Sequence, residues 1–222
     1  MKLSIDKVSL RYPYIGGPDV GEEYHQMLGF KKSLVDGTLG KQGTYWSPKK
    51  GQLTYMNLQL DGGATLTLAY GFCGKKHWGW VEFNPNRLEA DDYVELSGYL
   101  TQLFTNGAQT LLSKAGVARL DIALDVHHSE LHDLIFVDDR ARIDTVYPTG
   151  GTTIYLGRYK GPRNFAIYDK AKERKDKAGE AYENPWVRIE ARLRDPKSYA
   201  FANVLSIPNP FQRLSILDRH KL

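Results

Sequence analysis

A chain of 222 residues with 41% hydrophobic content and a formal net charge of +4 can bury a core without external staples. Its one cysteine, Cys73, excludes an internal disulfide and a thiolate zinc site, and no apolar stretch approaches the roughly 18 residues of a membrane-spanning helix. The opening MKLSIDKVSLRYPY is charged where a signal peptide has its apolar region, so a cytoplasmic protein with no membrane partner is expected.

The first half reads as short alternating strands. LTYMNLQL (53–60) and ATLTLAYGF (64–72) flank the turn formers Asp61, Gly62 and Gly63, which is a hairpin signal. WGWVEFNP (78–85) is a further strand stopped by Pro85. The next segment, 90–104, puts Tyr93, Leu96, Leu100 and Leu103 near helical spacing, with Asn106 and Gly107 as the stop. VARLDIALDV (117–126) alternates: positions 120, 122, 124 and 126 are apolar while 119, 121 and 125 are charged, which predicts a strand with one buried and one polar face. HSELHDLI (128–135) reads as a short helix capped by Ser129, YPTGGT (147–152) as an exposed turn, and TTIYLGR (152–158) as a strand. Then come the apolar NFAIY, the helix-forming KAKERKDKA, and WVRIEARLR (186–194), another two-faced strand. The pattern predicts an α+β fold, a central and mostly antiparallel sheet with helices on one face. A single domain over 1–222 is expected, and two pseudo-repeated halves stay open because no sequence repeat proves them.

Charge is concentrated late in the chain. Between Arg158 and Lys177 stand eight Lys/Arg against three acids, Asp169, Glu173 and Asp176. Such a run is most simply a solvated face, yet it also attracts polyanions by counterion release. Within it, RNFAIYDKAKERK (163–175) places Tyr168 where an apolar run meets the basic one. That tyrosine is either a core ring with a satisfied hydroxyl or a nucleophile.

The two charged strands offer a second constellation. Arg119, Asp121, Asp125 and His127 share one face of the first, and Arg188, Glu190, Arg192 and Arg194 one face of the last. If the strands are neighbours, Asp121 and Glu190 would converge on a hard cation such as Mg²⁺ or Mn²⁺; the alternative is a set of surface ion-pair ladders. Asp125 lies about 13 Å along the strand from Asp121, so one ion cannot bind both directly. His127 and His128 are adjacent and point to opposite faces, so at most one joins such a site. Whether Asp125 or His127 does so is open. IGGP (15–18) and PTGG (148–151) match no phosphate loop, and GxSxG and HExxH are absent.

Three segments in order, RLDIALD (119–125), TIYLGRYKGPRNFAIYDKAKE (153–173) and VRIEARLR (187–194), resemble the initiation proteins that start rolling-circle replication of filamentous phages and some plasmids. IDKVSLRYPYI (5–15) looks like the start of the filamentous-phage gene II proteins. The resemblance implies a site-specific, metal-dependent nickase and strand transferase in which Tyr168 attacks an origin phosphodiester, leaving a 5′-phosphotyrosine link and a free 3′-hydroxyl. The family is related to the HUH endonucleases, where two histidines hold the metal, but these branches use acids. That implies a divalent metal, Mg²⁺ or Mn²⁺, at Asp121 and Glu190, with Asp125 as the further candidate; the adjacent His127 and His128 do not take the histidine roles.

Lys170 and Lys172 become candidates for phosphate contact or proton handling. A helix beginning at 168 would put Lys172 on the tyrosine's face, and an extended strand would put Lys170 there. Arg158, Lys160, Arg163, Arg119, Arg188 and Arg192 are the expected DNA contacts. The implied partners are single-stranded or supercoiled origin DNA and the host helicase and polymerase, in a bacterial cytoplasm. A second reading is a non-catalytic DNA-binding regulator derived from such an initiator, with Tyr155 and Tyr159 stacking bases. The origin, the ion, the oligomeric state and whether LDRHKL (217–222) is a natural terminus are not legible.

Overall fold

Alternation drives much of the described chain into strands. The computed structural model describes residues 1–14, 40–47, 51–73, 76–103, 109, 113–138, 145–149, 151–158, 161–194 and 200–222. Two units divide them: Met1–Asp6, Arg119–Pro196 and Ile207–Leu222 form one, Lys7–Ala118 and Lys197–Ser206 the other. Every strand register described below is antiparallel. With two α-helices beside them among the described residues, the fold is α+β, as the patterning predicts. Among the described residues no helix is long and apolar enough to cross a membrane.

In the unit that begins at Lys7, β1 (Lys2–Tyr14, its residues up to Asp6 belonging to the other unit), β2 (Gly40–Ser47), β3 (Gly51–Gln59), β4 (Thr65–Cys73) and β5 (Lys76–Phe83) pair in the order β2-β3-β4-β5-β1. The expected hairpin is β3 and β4. Its turn is closed by the Leu60 N–H on the Ala64 carbonyl at 2.8 Å and the Gly63 N–H on Leu60 at 2.9 Å. Gly63 has φ +89°, which a side chain would resist.

Helix α1 (Ala90–Leu103) is tied to this turn by its own acids. The Gly62 N–H donates to Asp92 at 2.8 Å and the Asp61 N–H to Glu95 at 3.0 Å. Asp92, Leu96 and Leu100 are buried at i, i+4 and i+8, whereas Tyr93 stays half exposed. The buried stripe therefore runs through a hydrogen-bonded aspartate and not through the tyrosine that spacing alone selects. Asn106 and Gly107 lie outside the described residues. A Cβ on Gly62 would stand 2.4 Å from Asp92 Oδ2. Gly62→Ala is accordingly expected to cost about 1–3 kcal/mol, read as a lower urea midpoint at unchanged m.

The other unit holds β6 (Gly116–His127), β7 (Leu134–Asp138), β8 (Thr145–Thr149), β9 (Gly151–Leu156), β10 (Arg163–Asp169), helix α2 (Lys170–Ala178), β11 (Trp186–Arg194) and β12 (Leu214–Asp218). The main sheet runs β6-β11-β10-β9-β8, and β7 pairs with β12 separately. YPTGGT falls at the end of the β8/β9 hairpin, whose last pair is Thr149 and Gly151. The apolar face of the sheet carries Leu156, Phe165, Ile167, Val187, Ile189 and Ala191, and against it pack Leu134 and Phe136 of β7 and Leu214 and Ile216 of β12.

HSELHDLI does not form the expected helix. Only Leu131–Asp133 makes a 3₁₀ turn, with no side-chain cap, and the chain then enters β7. Two local facts explain the difference. His128 adopts φ +61°, so the chain bends at the intended start. Ile135, Phe136 and Val137 are strand formers that pair with Leu217, Ile216 and Ser215.

Candidate active site

The second face of the β6–β9 sheet is where charge collects, and strand register arranges it in rows. Asp121, Arg192 and Asn164 form one row; Ala123, Glu190, Ala166 and Tyr155 the next; Asp125, Arg188, Tyr168 and Thr153 the third; His127 and Trp186 the last. The sequence predicts one buried and one polar face for β6. Instead the charged face is buried: Asp121 and Asp125 of β6 and Glu190 and Arg188 of β11 are each 9% exposed or less. Burial of that many charges requires partners, and each has one.

Arg119 grips Asp121 through both oxygens at 2.9 and 2.6 Å. Arg188 grips Asp125 in the same bidentate way at 2.7 and 2.8 Å, and its third nitrogen donates to Asp6 of β1. Arg192 donates to Glu190 Oε2 at 2.6 Å from Nη2. These are not the surface ladders that spacing allows. Two are i, i+2 pairs along one strand, and the cross-strand pair joins Arg188 to Asp125, leaving Glu190 to others.

Tyr168 is one of those others. Its hydroxyl donates to Glu190 Oε1, reaching diagonally across the row of Ala166. Ala123 and Ala166, both fully buried, flank Glu190 and leave room for that reach. Burial first, then the charge and hydrogen bond of Glu190, push the Tyr168 phenol far above the ordinary tyrosine range, with Arg188 pulling the other way. The side chain therefore sits as a neutral phenol with a carboxylate poised on its proton.

The strand ends with Tyr168 and Asp169, and α2 begins at Lys170. Asp169 caps the helix by accepting the Lys172 N–H at 2.8 Å, and Gly179, at φ +70°, closes the other end. This junction chooses between the lysines. Lys170 is buried, its Nζ lies 5.6 Å from the Tyr168 ring centroid, and it pairs with Glu173; Lys172 is exposed. Loss of the cap in Asp169→Ala should cost about 1 kcal/mol, measurable by denaturant unfolding.

The remaining candidates are spread more widely. Arg163 lies on the opposite face, over the Phe165 ring at 5.4 Å and donating to the Pro210 carbonyl. Arg158 is exposed, and Lys160 and Tyr159 lie outside the described residues. Arg192 stands 5.9 Å from the Tyr155 ring centroid. Asp125 and His127 share a face with Asp121 but lie at least two rows away, and Asp125 is occupied by Arg188. Sequence reasoning passed over Asp6, Ala123, Ala166 and Glu173. Only Glu173 carried a signal, at i+3 from Lys170.

Among the described residues no group of three or more His, Cys, Asp or Glu could hold a metal ion. Asp121 and Glu190 do lie on one face at a diagonal of neighbouring strands, their oxygens engaged by Arg119, Arg192 and Tyr168. Their donor chemistry fits a small hard cation, which takes one or two carboxylates and completes its shell with water and substrate phosphate.

Residues 137–217 match the family model described as replication initiation factor, a span that includes Tyr168, Lys170, Arg188 and Glu190 but not Asp121 or Asp125. A replication initiation protein of Staphylococcus aureus is 32% identical over 119 residues, covering 51% of this chain and 35% of that protein. The chain thus spans about a third of the length of the curated relative it matches. A solved rolling circle replication initiator protein from Geobacillus stearothermophilus aligns at TM-score 0.47 and 17% identity, covering 92% of this chain and 78% of that one. The family model and the curated relative agree with the resemblance to replication initiators carried by the sequence motifs.

Proposed function

We propose that this protein nicks DNA at a replication origin and holds the cut end on Tyr168, as an initiator of rolling-circle replication. The observation that carries this reading is the hydrogen bond from the Tyr168 hydroxyl to Glu190, beside the Arg188 and Lys170 cations. A phenol is a weak nucleophile, and it gains strength when a base takes its proton as it attacks. Tyr168 Oη would bond to phosphorus while Glu190 accepts the proton. The bond from phosphorus to the 3′-oxygen breaks on the side away from Tyr168, and that oxygen takes a proton from solvent water to leave as a free 3′-hydroxyl.

Arg192 orients Glu190 through its other oxygen. Arg188 and Lys170 supply positive charge where negative charge develops on the phenol and phosphate. A divalent ion drawn to the Asp121 carboxylate beside Glu190, completing its shell with water and substrate phosphate, would add polarisation of the scissile phosphate. Exposed basic residues such as Arg158 and Lys172 extend the attraction to the DNA strand. Because the linkage conserves phosphodiester energy, the nick can be resealed without ATP. Origin DNA is the proposed partner, with the host helicase and polymerase acting on the free 3′ end.

The test is one incubation of labelled supercoiled and single-stranded origin-containing DNA, with Mn²⁺ or with EDTA, resolved on a denaturing gel. The expected result is a protein–DNA adduct that survives denaturant, formed with Mn²⁺ and lost with EDTA. Binding without any adduct would point to a non-catalytic regulator instead.

A further inference from the structure

The row beyond Tyr168 is aromatic, and the proposed nicking chemistry makes no use of it. His127 and Trp186 are cross-strand partners with rings stacked at 5.2 Å and 29°. Tyr182, from the segment entering β11, meets Trp186 edge-on at 5.5 Å and 71°, and the Arg188 guanidinium lies 5.4 Å from the Trp186 centroid. The strand end that carries this group is fixed by the His128 N–H on the Pro185 carbonyl at 2.9 Å, with His128 held at φ +61°. A cluster serving packing alone would bury its rings. Here His127 is exposed and Tyr182 is 44% exposed, while Trp186 beneath them is partly buried.

Position supplies the occupant. Trp186 precedes Arg188 by two residues on β11, so its row lies about 7 Å from the Tyr168 row on the same face and about 13 Å from the Glu190 row toward which the Tyr168 hydroxyl reaches. A short stretch of extended single strand spans that distance. We infer that Tyr182, Trp186 and His127 form a stacking ledge for an unpaired base of single-stranded DNA, on the same strand as the phosphate that meets Tyr168 and a short stretch away from it. This rests on the nicking reading given above. Stacking needs only the π-face every base has, so the ledge takes an unpaired base of any sequence and excludes a duplex, whose bases are already stacked. It would make the site selective for melted DNA.

The test uses the full chain and two fluorescein-labelled probes of equal length, a single strand of mixed sequence and the same backbone made abasic, with binding read by anisotropy across a salt series. Tyr182→Ala and His127→Ala change exposed side chains, and circular dichroism checks their fold. Tyr182→Ala is expected to weaken binding to the strand with bases about tenfold at every salt concentration. It should leave binding to the abasic strand unchanged, with Tyr182→Phe close to wild type. Wild-type affinity in both alanine variants would overturn the ledge, as would an equal loss on the abasic probe; the nicking reading survives either result if the wild type still forms its adduct. A wild type that neither binds single strands nor forms an adduct overturns both.

Discussion

Tyr168→Phe is expected to abolish the denaturant-stable adduct while leaving DNA binding in place, and Glu190→Gln to slow its formation by about 10²–10⁴-fold. The reasoning separates the two groups by what each does to the same proton. Phenylalanine keeps the ring beneath Lys170 but removes the only atom able to bond to phosphorus. Glutamine keeps the size of Glu190 between Ala123 and Ala166 and can still face Tyr168, but it cannot hold the proton the phenol must lose. A simple core role for Tyr168 predicts the opposite pattern: both variants would lose stability and neither would change chemistry. The measurement is single-turnover adduct formation on single-stranded origin DNA, with a parallel urea titration. An adduct persisting in Tyr168→Phe would rule out that tyrosine as its site.

Much of this site was legible because alternation along a strand assigns each side chain to a face from residue order alone. Arg119, Asp121 and Asp125 on one strand and Arg188, Glu190 and Arg192 on another share a face at period two, and the observed register keeps them there. Register itself was not legible. Nothing local says that Arg188 lies opposite Asp125 and Glu190 opposite Ala123, and that offset decides which acid is left for Tyr168. Asp6 was invisible for a similar reason, since its bond to Arg188 joins residues at opposite ends of the chain. The burial of the charged face also escaped, because polar side chains at period two read as solvent-facing unless their partners are known. In contrast, the strand-to-helix change at Asp169 rests on a local cap, so its two possible readings could be framed from sequence and needed only one bond to separate them.

The same buried network sets the second large effect. Arg188→Met should destabilise the protein by about 3–5 kcal/mol, because it takes from the buried Asp125 the guanidinium that holds both of its oxygens. Adding Asp125→Leu should return much of that loss, since an apolar side chain needs no partner there. The pH dependence gives the sign. In the wild type, burial alone would raise the Asp125 pKa, but the hydrogen bonds and charge of Arg188 hold it below the ordinary carboxylate value. Stability from this pair is then present above the unfolded value of about 3.9 and lost as pH falls through the depressed folded one. Without Arg188 the largest influence opposing burial is lost, so the folded pKa rises and the stability that this carboxylate contributes at neutral pH shrinks. Arg188→Met should therefore lose more relative to wild type at pH 7 than at pH 4. Urea unfolding at the two pH values checks this, and an equal deficit at both would mean that Asp125 is not the charge Arg188 neutralises.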